Sequence, residues 1–170
     1  MGINSFNFGW QLKTGDSFQT PEVVMVYSNE GLNTLSQTYH ELYNHRLIRG
    51  NYRLQERPTL INNWEATYFD FNEEKIMNIV DDAKNLGIEM FVLDDGWFGG
   101  RENDFTSLGD WVETEGKLAC GLENLAKQVH DNGMKFGIWF EPEMISEDSE
   151  LFRAHPDWAL GIPGRDRSIS

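Results

Sequence analysis

Phe91-Val92-Leu93-Asp94-Asp95-Gly96-Trp97-Phe98-Gly99-Gly100 is an apolar run that stops on two carboxylates, a glycine and an aromatic pair. A short apolar run bounded by glycine is typical of a buried parallel strand, so Asp94 and Asp95 would lie where this strand meets solvent. Proteins of the α/β class keep their functional sites at that end of their strands. The stretch therefore predicts a parallel sheet with a site beside the two aspartates.

The same pattern occurs twice more, in Thr59-Leu60-Ile61-Asn62-Asn63-Trp64-Glu65 and in Lys135-Phe136-Gly137-Ile138-Trp139-Phe140-Glu141-Pro142-Glu143. Each of the three predicted strands ends near a tryptophan with carboxylates beside it. Between the strands, apolar residues recur at helical spacing over 76–83 and 122–129. Alternating strands and helices of this length predict βαβ units, and hence a parallel sheet with right-handed crossovers.

Two architectures would fit such units, a doubly wound sheet and a barrel. A dinucleotide-binding sheet should show a glycine fingerprint after its first strand, whereas Asn-Asn-Trp-Glu follows Ile61. Three successive strands that all deliver polar and aromatic residues at their ends favour the barrel, whose site is assembled from every strand end. A barrel needs about 250 residues. The predicted fold is therefore α/β, a partial (β/α)8 TIM barrel of about three βα units.

The first 57 residues do not share this pattern. Phe6, Phe8 and Trp10 alternate with polar residues and 23–27 is a β-branched run, so two strands are predicted within 1–30. From 31 to about 46, apolar residues recur at three and four positions, which predicts a helix linking two domains. A polar linker closed by Pro58 follows it.

Composition limits the class of protein. The chain has 170 residues, 39% of them apolar, and a formal net charge of −14. This charge argues against nucleic acid and anionic membranes as partners, because both would repel the chain. Cys120 is the single cysteine, so an internal disulfide and a thiol-rich metal site are excluded. With no signal-like or membrane-spanning apolar run, a cytoplasmic protein is expected.

The predicted strand ends favour a sugar site. Carboxylates such as Asp94 and Asp95 accept hydrogen bonds from hydroxyls, and the aromatic faces of Trp64, Trp97 and Trp139 would cover the apolar side of a pyranose. Two alternatives remain open. Asp94, Asp95, Glu141 and Glu143 are hard oxygen ligands that suit Mg²⁺ or Ca²⁺ in a metal-dependent enzyme. Otherwise Asp95-Gly96 is only a turn and the tryptophans are core residues, which is the better explanation for Trp10, Trp111 and Trp158.

Three further acids, Glu65, Glu141 and Glu143, have the chemistry of catalytic acids or bases. Glycosidases use two carboxyls at a fixed separation, which a sequence does not reveal. Glu141, before Pro142, is equally well explained as a structural acid that anchors its loop.

Five motifs stand in one order along the chain: Asn62-Asn63-Trp64-Glu65-Ala66-Thr67-Tyr68-Phe69, Leu93-Asp94-Asp95-Gly96-Trp97-Phe98-Gly99, Gly109-Asp110-Trp111, Phe136-Gly137-Ile138-Trp139-Phe140-Glu141-Pro142-Glu143-Met144 and Ala154-His155-Pro156-Asp157-Trp158. Together they closely resemble the α-galactosidases of glycoside hydrolase family 36. Phe18-Gln19-Thr20-Pro21-Glu22 and Ser36-Gln37-Thr38-Tyr39-His40 look like the end of that family's N-terminal β-sandwich and its connector into the barrel. The resemblance covers essentially the whole chain.

The resemblance implies a retaining hydrolase that removes terminal α-linked galactose from oligosaccharides such as raffinose and melibiose, without a metal cofactor. By it, Asp94 and Asp95 bind the galactose 4- and 6-hydroxyls, while Trp64 and Trp139 shape the pocket around the ring. It also implies three segments: 1–30 as the tail of the sandwich, 31–57 as linking helix and linker, and 58–170 as the first units of the catalytic barrel.

The family's nucleophile lies in a Lys-Trp-Asp motif after a later strand, and its acid/base follows a strand later still. Neither motif occurs in this chain, so no catalytic residue is assigned and an inactive fragment is expected. Its expected partner is the remainder of its own barrel, with self-association in isolation and a homo-oligomer for the full-length enzyme. A non-catalytic sugar-binding module is the remaining alternative.

Overall fold

The computed structural model describes residues 2–6, 8–162 and 164. The chain divides into two compact units, Met1–Glu56 and Arg57–Ser170. The predicted assignment of 31–57 to a linker and 58–170 to a barrel stays a prediction. Within the described ranges, no helix is both long and apolar enough to cross a membrane.

The first unit is built on one helix. Helix α1 spans Leu32–Leu42 and continues into a π-helical turn over Tyr43–Leu47, and a 3-10 turn follows at Asn51–Arg53. Gly31, at φ +93°, precedes the helix in a backbone conformation that glycine adopts without strain. The helix predicted from the spacing of apolar residues is therefore confirmed.

The two strands predicted within residues 1–30 are wrong. No strand is present in 2–6 or 8–31, and Asn7 lies outside the described residues. A strand needs a neighbour for its backbone N–H and C=O groups, and this segment finds none among the described residues. The alternation also predicts one buried face, yet Phe6 and Tyr27 are 79% and 88% exposed. The origin of this segment in a β-sandwich stays a prediction.

The second unit contains a sheet of three parallel strands in the order β1-β2-β3. The strands are β1 (Leu60–Asn62), β2 (Met90–Leu93) and β3 (Lys135–Ile138). All three strands and their parallel arrangement were predicted from the sequence. The third strand ends at Ile138 rather than at Phe140, because β2, its partner, ends at Leu93 opposite Ile138.

Four helices accompany the sheet: α2 (Trp64–Thr67), α3 (Glu73–Asn85), α4 (Gly121–Asp131) and α5 (Glu150–Ala154). The Asn72 side chain caps α3 by accepting from the Lys75 amide at 2.9 Å, and Ser149 caps α5 in the same way. Gly87, at φ +81°, follows α3 and lets the chain turn into β2. The single turn of α2 was not predicted.

The core of the second unit joins the central strand to α3 and α4. Its completely buried members include Phe91, Leu93, Ile76, Val80, Leu125 and Val129. Burying each such side chain stabilises the fold by about 1.5–3 kcal/mol. Glu73, at the start of α3, accepts from the Gln128 side chain at 2.6 Å and from the Cys120 amide at 2.9 Å. These bonds to its ionised form lower the pKa of Glu73 and tie α3 to α4.

The loop after β2 runs from Asp94 to Cys120 and is folded on itself. The Gly99 amide donates to the Val112 carbonyl and the Thr114 amide to the Trp97 carbonyl, both at 2.8 Å. These bonds join residues 97–99 near the start of the loop to residues 112–114 near its end. Long ordered loops in this position are usually functional.

Candidate functional site

Asp94 and Asp95 follow the last residue of the central strand and are only 9% and 6% exposed. Asp94 Oδ1 accepts from the Asp95 amide at 2.8 Å, and Asp95 Oδ1 accepts from the Gly96 amide at 2.6 Å. The chain turns at this point because Gly96 takes φ +93°. A Cβ at residue 96 would lie 2.9 Å from the Phe69 ring, so the turn requires glycine for its space as well.

Asn63 connects the ends of two strands. It is completely buried, and its Oδ1 accepts from the Asp94 amide at 2.9 Å while its Nδ2 donates to Thr67 Oγ1 at 3.0 Å. The end of β1 is thereby fixed to the end of β2. Asn63 was not predicted as a site residue, although an amide side chain at a predicted strand end was the available signal.

Arg101 is the buried partner of Asp95. Its Nε donates to Asp95 Oδ1 at 2.7 Å, and its Nη1 donates to the Thr106 carbonyl. The guanidinium lies over the rings of Phe69 and Phe98, 5.7 and 5.8 Å from their centroids. Sequence reasoning missed Arg101, because an arginine six residues after a carboxylate has no periodic signal in a loop.

Lys117 binds the backbone around this ion pair. Its Nζ donates to the carbonyls of Phe69 and Gly96 at 2.9 Å and of Arg101 at 3.3 Å. Burial lowers the pKa of Lys117, against the opposing effect of nearby acids. The segments around residues 69, 96–101 and 117 are thus held together at one ammonium group. This residue was also missed from sequence.

The two predicted pocket tryptophans lie at the same edge of the sheet as the aspartates. The Trp139 amide donates to the Leu93 carbonyl at 2.8 Å, directly beside Asp94. Trp64 follows Asn63 and packs edge-on against Phe69, with ring centroids 5.1 Å apart. Both tryptophans are half-buried. The structure therefore brings Trp64, Asp94, Asp95 and Trp139 to neighbouring strand ends.

The burial of the other tryptophans agrees only in part with the predictions from the sequence. Trp97 is buried and donates through Nε1 to the Trp139 carbonyl at 3.0 Å, so it supports the site from the core. Trp111 is half-buried and packs against the core, as predicted. The core prediction for Trp10 and Trp158 is wrong, since both side chains are largely exposed.

The described hydrogen bonds of both aspartates go to one oxygen of each carboxylate. Within the described residues, Oδ1 of each carboxylate accepts the hydrogen bonds above, and no N–H or O–H group donates to Oδ2 of Asp94 or Asp95. An ionised carboxylate is an acceptor only. The arrangement can therefore accept hydrogen bonds from the hydroxyls of a ligand, with aromatic rings on the flanking strand ends.

The four acids considered as ligands in a metal-dependent enzyme do not form a cluster. In the part of the chain that the structure describes, no three His, Cys, Asp or Glu side chains are placed to hold a metal ion. The Asp94, Asp95, Glu141 and Glu143 set is therefore not assembled as a metal site. Glu65 instead accepts from the Tyr68 hydroxyl at 3.2 Å, which raises the pKa of Tyr68.

Comparison with known proteins gives one consistent result. The chain is 66% identical over 168 residues to the α-galactosidase AgaA of Geobacillus stearothermophilus, with 99% of this chain and 23% of that protein covered. It is 57% identical over 164 residues to the α-galactosidase Mel36A of Lactobacillus acidophilus, with 96% of this chain and 22% of that protein covered. The chain thus spans about a quarter of the length of these relatives.

Comparison with solved structures leads to the same family. The crystal structure of the glycoside hydrolase family 36 α-galactosidase AgaA matches with a TM-score of 0.89 and 64% identity, over 99% of this chain and 24% of that one. Variants of that enzyme have been solved with 1-deoxygalactonojirimycin and with raffinose. The predicted resemblance to this family is confirmed. The model of the Melibiase family matches residues 17–170, and the chain therefore belongs to the Melibiase family.

Proposed function

We propose that the whole protein is an α-galactosidase, and that this chain supplies one wall of the pocket for the terminal galactose. The observation that carries the proposal is the pair Asp94 and Asp95, buried at the end of the central strand with one carboxylate oxygen of each left for a ligand hydroxyl. Galactose presents its 4- and 6-hydroxyls on one side of the ring, which suits two adjacent acceptors. Terminal α-linked galactose, as in raffinose or melibiose, is the proposed substrate group.

Trp64 and Trp139 flank the aspartates and shape the pocket. Their half-buried rings offer an apolar face to the C–H side of a sugar. The catalytic carboxylates belong to other parts of the protein, because the Lys-Trp-Asp motif of the family's nucleophile is absent from this chain. The chain alone therefore binds galactose weakly and does not hydrolyse α-galactosides.

Binding by the 170-residue chain tests this proposal. Titration with 1-deoxygalactonojirimycin should give a dissociation constant in the millimolar range, equivalent to about −4 kcal/mol. Asp94→Asn should weaken binding tenfold or more, because its amide keeps Oδ1 for the Asp95 amide but loses the charged acceptor for the ligand. Asp81→Asn, the same charge change on the exposed face of α3, is the matched control.

Equal affinity in the unsubstituted chain and Asp94→Asn would contradict the assigned role of Asp94. Hydrolysis of an aryl α-galactoside by this chain, lost in Asp95→Asn and insensitive to a chelator, would instead place a catalytic carboxylate within it.

The three parallel strands form part of a (β/α)8 barrel in this proposal. Among the described residues, β1 and β3 pair only with β2, so each leaves one edge unpaired. The natural partner of these edges is the remainder of the barrel. The longer protein, with its barrel complete, forms a homo-oligomer in this proposal. Leu60 on the β1 edge is exposed. Unpaired edges with exposed apolar residues template association between chains.

We therefore expect the isolated chain to form oligomers, measured by light scattering, with weak amide protection in β1 and β3. Leu60→Lys should reduce the association, because a charged side chain on an edge strand opposes pairing. A monodisperse monomer with strongly protected amides in both strands would show that three strands close their own core.

A further inference from the structure

We propose that Arg101 is a positioning residue for Asp95: it fixes one oxygen of the carboxylate so that the other is held ready for a hydroxyl of the sugar. The inference rests on the proposed role of Asp95 in galactose binding. It adds a residue that lies outside the predicted site and contacts the ligand only through Asp95.

The geometry of the pair supports positioning. Asp95 Oδ1 accepts two hydrogen bonds, from the Gly96 amide at 2.6 Å and from Arg101 Nε at 2.7 Å. These two donors on one oxygen leave Oδ2 without a described donor. Rotation of the Asp95 carboxylate would break both hydrogen bonds at once. The two bonds therefore fix the direction in which Oδ2 points.

Arg101 is itself fixed. Its Nη1 donates to the Thr106 carbonyl, and the Phe69 and Phe98 rings pack against its guanidinium. The Arg101 carbonyl accepts from Lys117 Nζ at 3.3 Å, so the backbone of Arg101 is held in place as well. A guanidinium is planar, with donors at fixed angles, and a lysine ammonium cannot make both the Asp95 and the Thr106 bonds in that plane.

The charge of Arg101 sets what Asp95 can recognise. A guanidinium has donors only, and both described groups that face Asp95 Oδ1, Arg101 Nε and the Gly96 amide, donate to it. Asp95 then accepts hydrogen bonds and donates none. A sugar with a hydroxyl at that position fits, whereas its deoxy or O-methyl analogue offers no donor to Oδ2 of Asp95. The Arg101–Asp95 pair thus makes the pocket specific for a donor hydroxyl.

A purely structural ion pair is the competing explanation, so the test needs a readout of carboxylate orientation. In the unsubstituted chain, the Arg101 Nε–H should give an NMR signal that exchanges slowly with water. In Arg101→Gln, the Gly96 amide and Asp95 carboxyl signals should shift, while the β2 amides, which report the fold, should not. Affinity for 1-deoxygalactonojirimycin should fall about tenfold or more.

Arg101→Lys separates charge from geometry. It keeps the positive charge but loses the two-bond arrangement, so its affinity and Asp95 signals should resemble those of Arg101→Gln. Full recovery in Arg101→Lys would show that charge alone suffices and would overturn positioning, and so would an unshifted Asp95 signal in Arg101→Gln. A rapidly exchanging Nε–H in the unsubstituted chain would overturn it even if both variants failed to fold.

The two proposals fail separately. If the unsubstituted chain binds no analogue, the proposed binding wall fails for this chain, and the Arg101 Nε–H and Asp95 signals still decide whether Arg101 fixes the carboxylate. If the analogue binds and Arg101→Gln binds it equally well, the binding wall stands and Arg101 has no positioning role.

Discussion

Phe91→Ala should destabilise the second unit by about 3–5 kcal/mol, the range measured for truncating a buried aromatic residue. Phe91 is completely buried in the central strand and is in register with Ile61 on one side and Phe136 on the other. Its removal leaves a cavity that both neighbouring strands border. Because a domain of this size is stable by only about 5–15 kcal/mol, this loss leaves little margin.

Urea denaturation of the 170-residue chain, followed by circular dichroism, measures this effect. Phe105→Ala is the matched control, since Phe105 is 75% exposed in the long loop and its truncation should cost less than about 0.5 kcal/mol. If the two variants unfold at the same urea concentration, the central strand does not organise the core.

The sheet could be predicted because its signal is local. The apolar run at 91–93 stops sharply on Asp94, and the helices between the strands carry regular apolar faces. The same rule failed at Phe6, Phe8 and Trp10, where alternation is present but the described residues offer no neighbouring strand. Alternation indicates that a segment suits a sheet, whereas a strand forms only when a partner supplies the hydrogen bonds.

The candidate site was predicted in part for the same reason. Asp94, Asp95, Trp64 and Trp139 lie at strand ends, and parallel strands bring their ends together, so the sequence is enough to group them. Asn63, Arg101 and Lys117 support the aspartates through contacts across 6 to 48 residues of chain. Such contacts depend on the path of the loop, which no periodicity encodes.

Lys117→Met should have the second largest effect and lower the free energy of unfolding by about 2–4 kcal/mol. Three carbonyls, those of Phe69, Gly96 and Arg101, lose a charged donor, and a hydrogen bond to a charged group contributes about 1.5–3 kcal/mol before the cost of burying the ammonium is subtracted. Methionine keeps an apolar stem of similar length and removes the ammonium, which also lies 4.7 Å from the centroid of the Phe71 ring.

The loss should be concentrated in the loop, and amide exchange should therefore rise most at Gly96 and Arg101 while β2 stays protected. Lys127→Met is the matched control, because Lys127 pairs with Asp131 on the exposed face of α4 and such pairs contribute at most about 1 kcal/mol. Equal stability and equal loop exchange in the two variants would show that Lys117 does not hold the three segments together. Lys117 binds the carbonyl of Gly96, which follows Asp95, and the carbonyl of Arg101. If Lys117→Met loses more stability than Lys127→Met and also binds 1-deoxygalactonojirimycin more weakly, the order of the loop contributes to the orientation of Asp95.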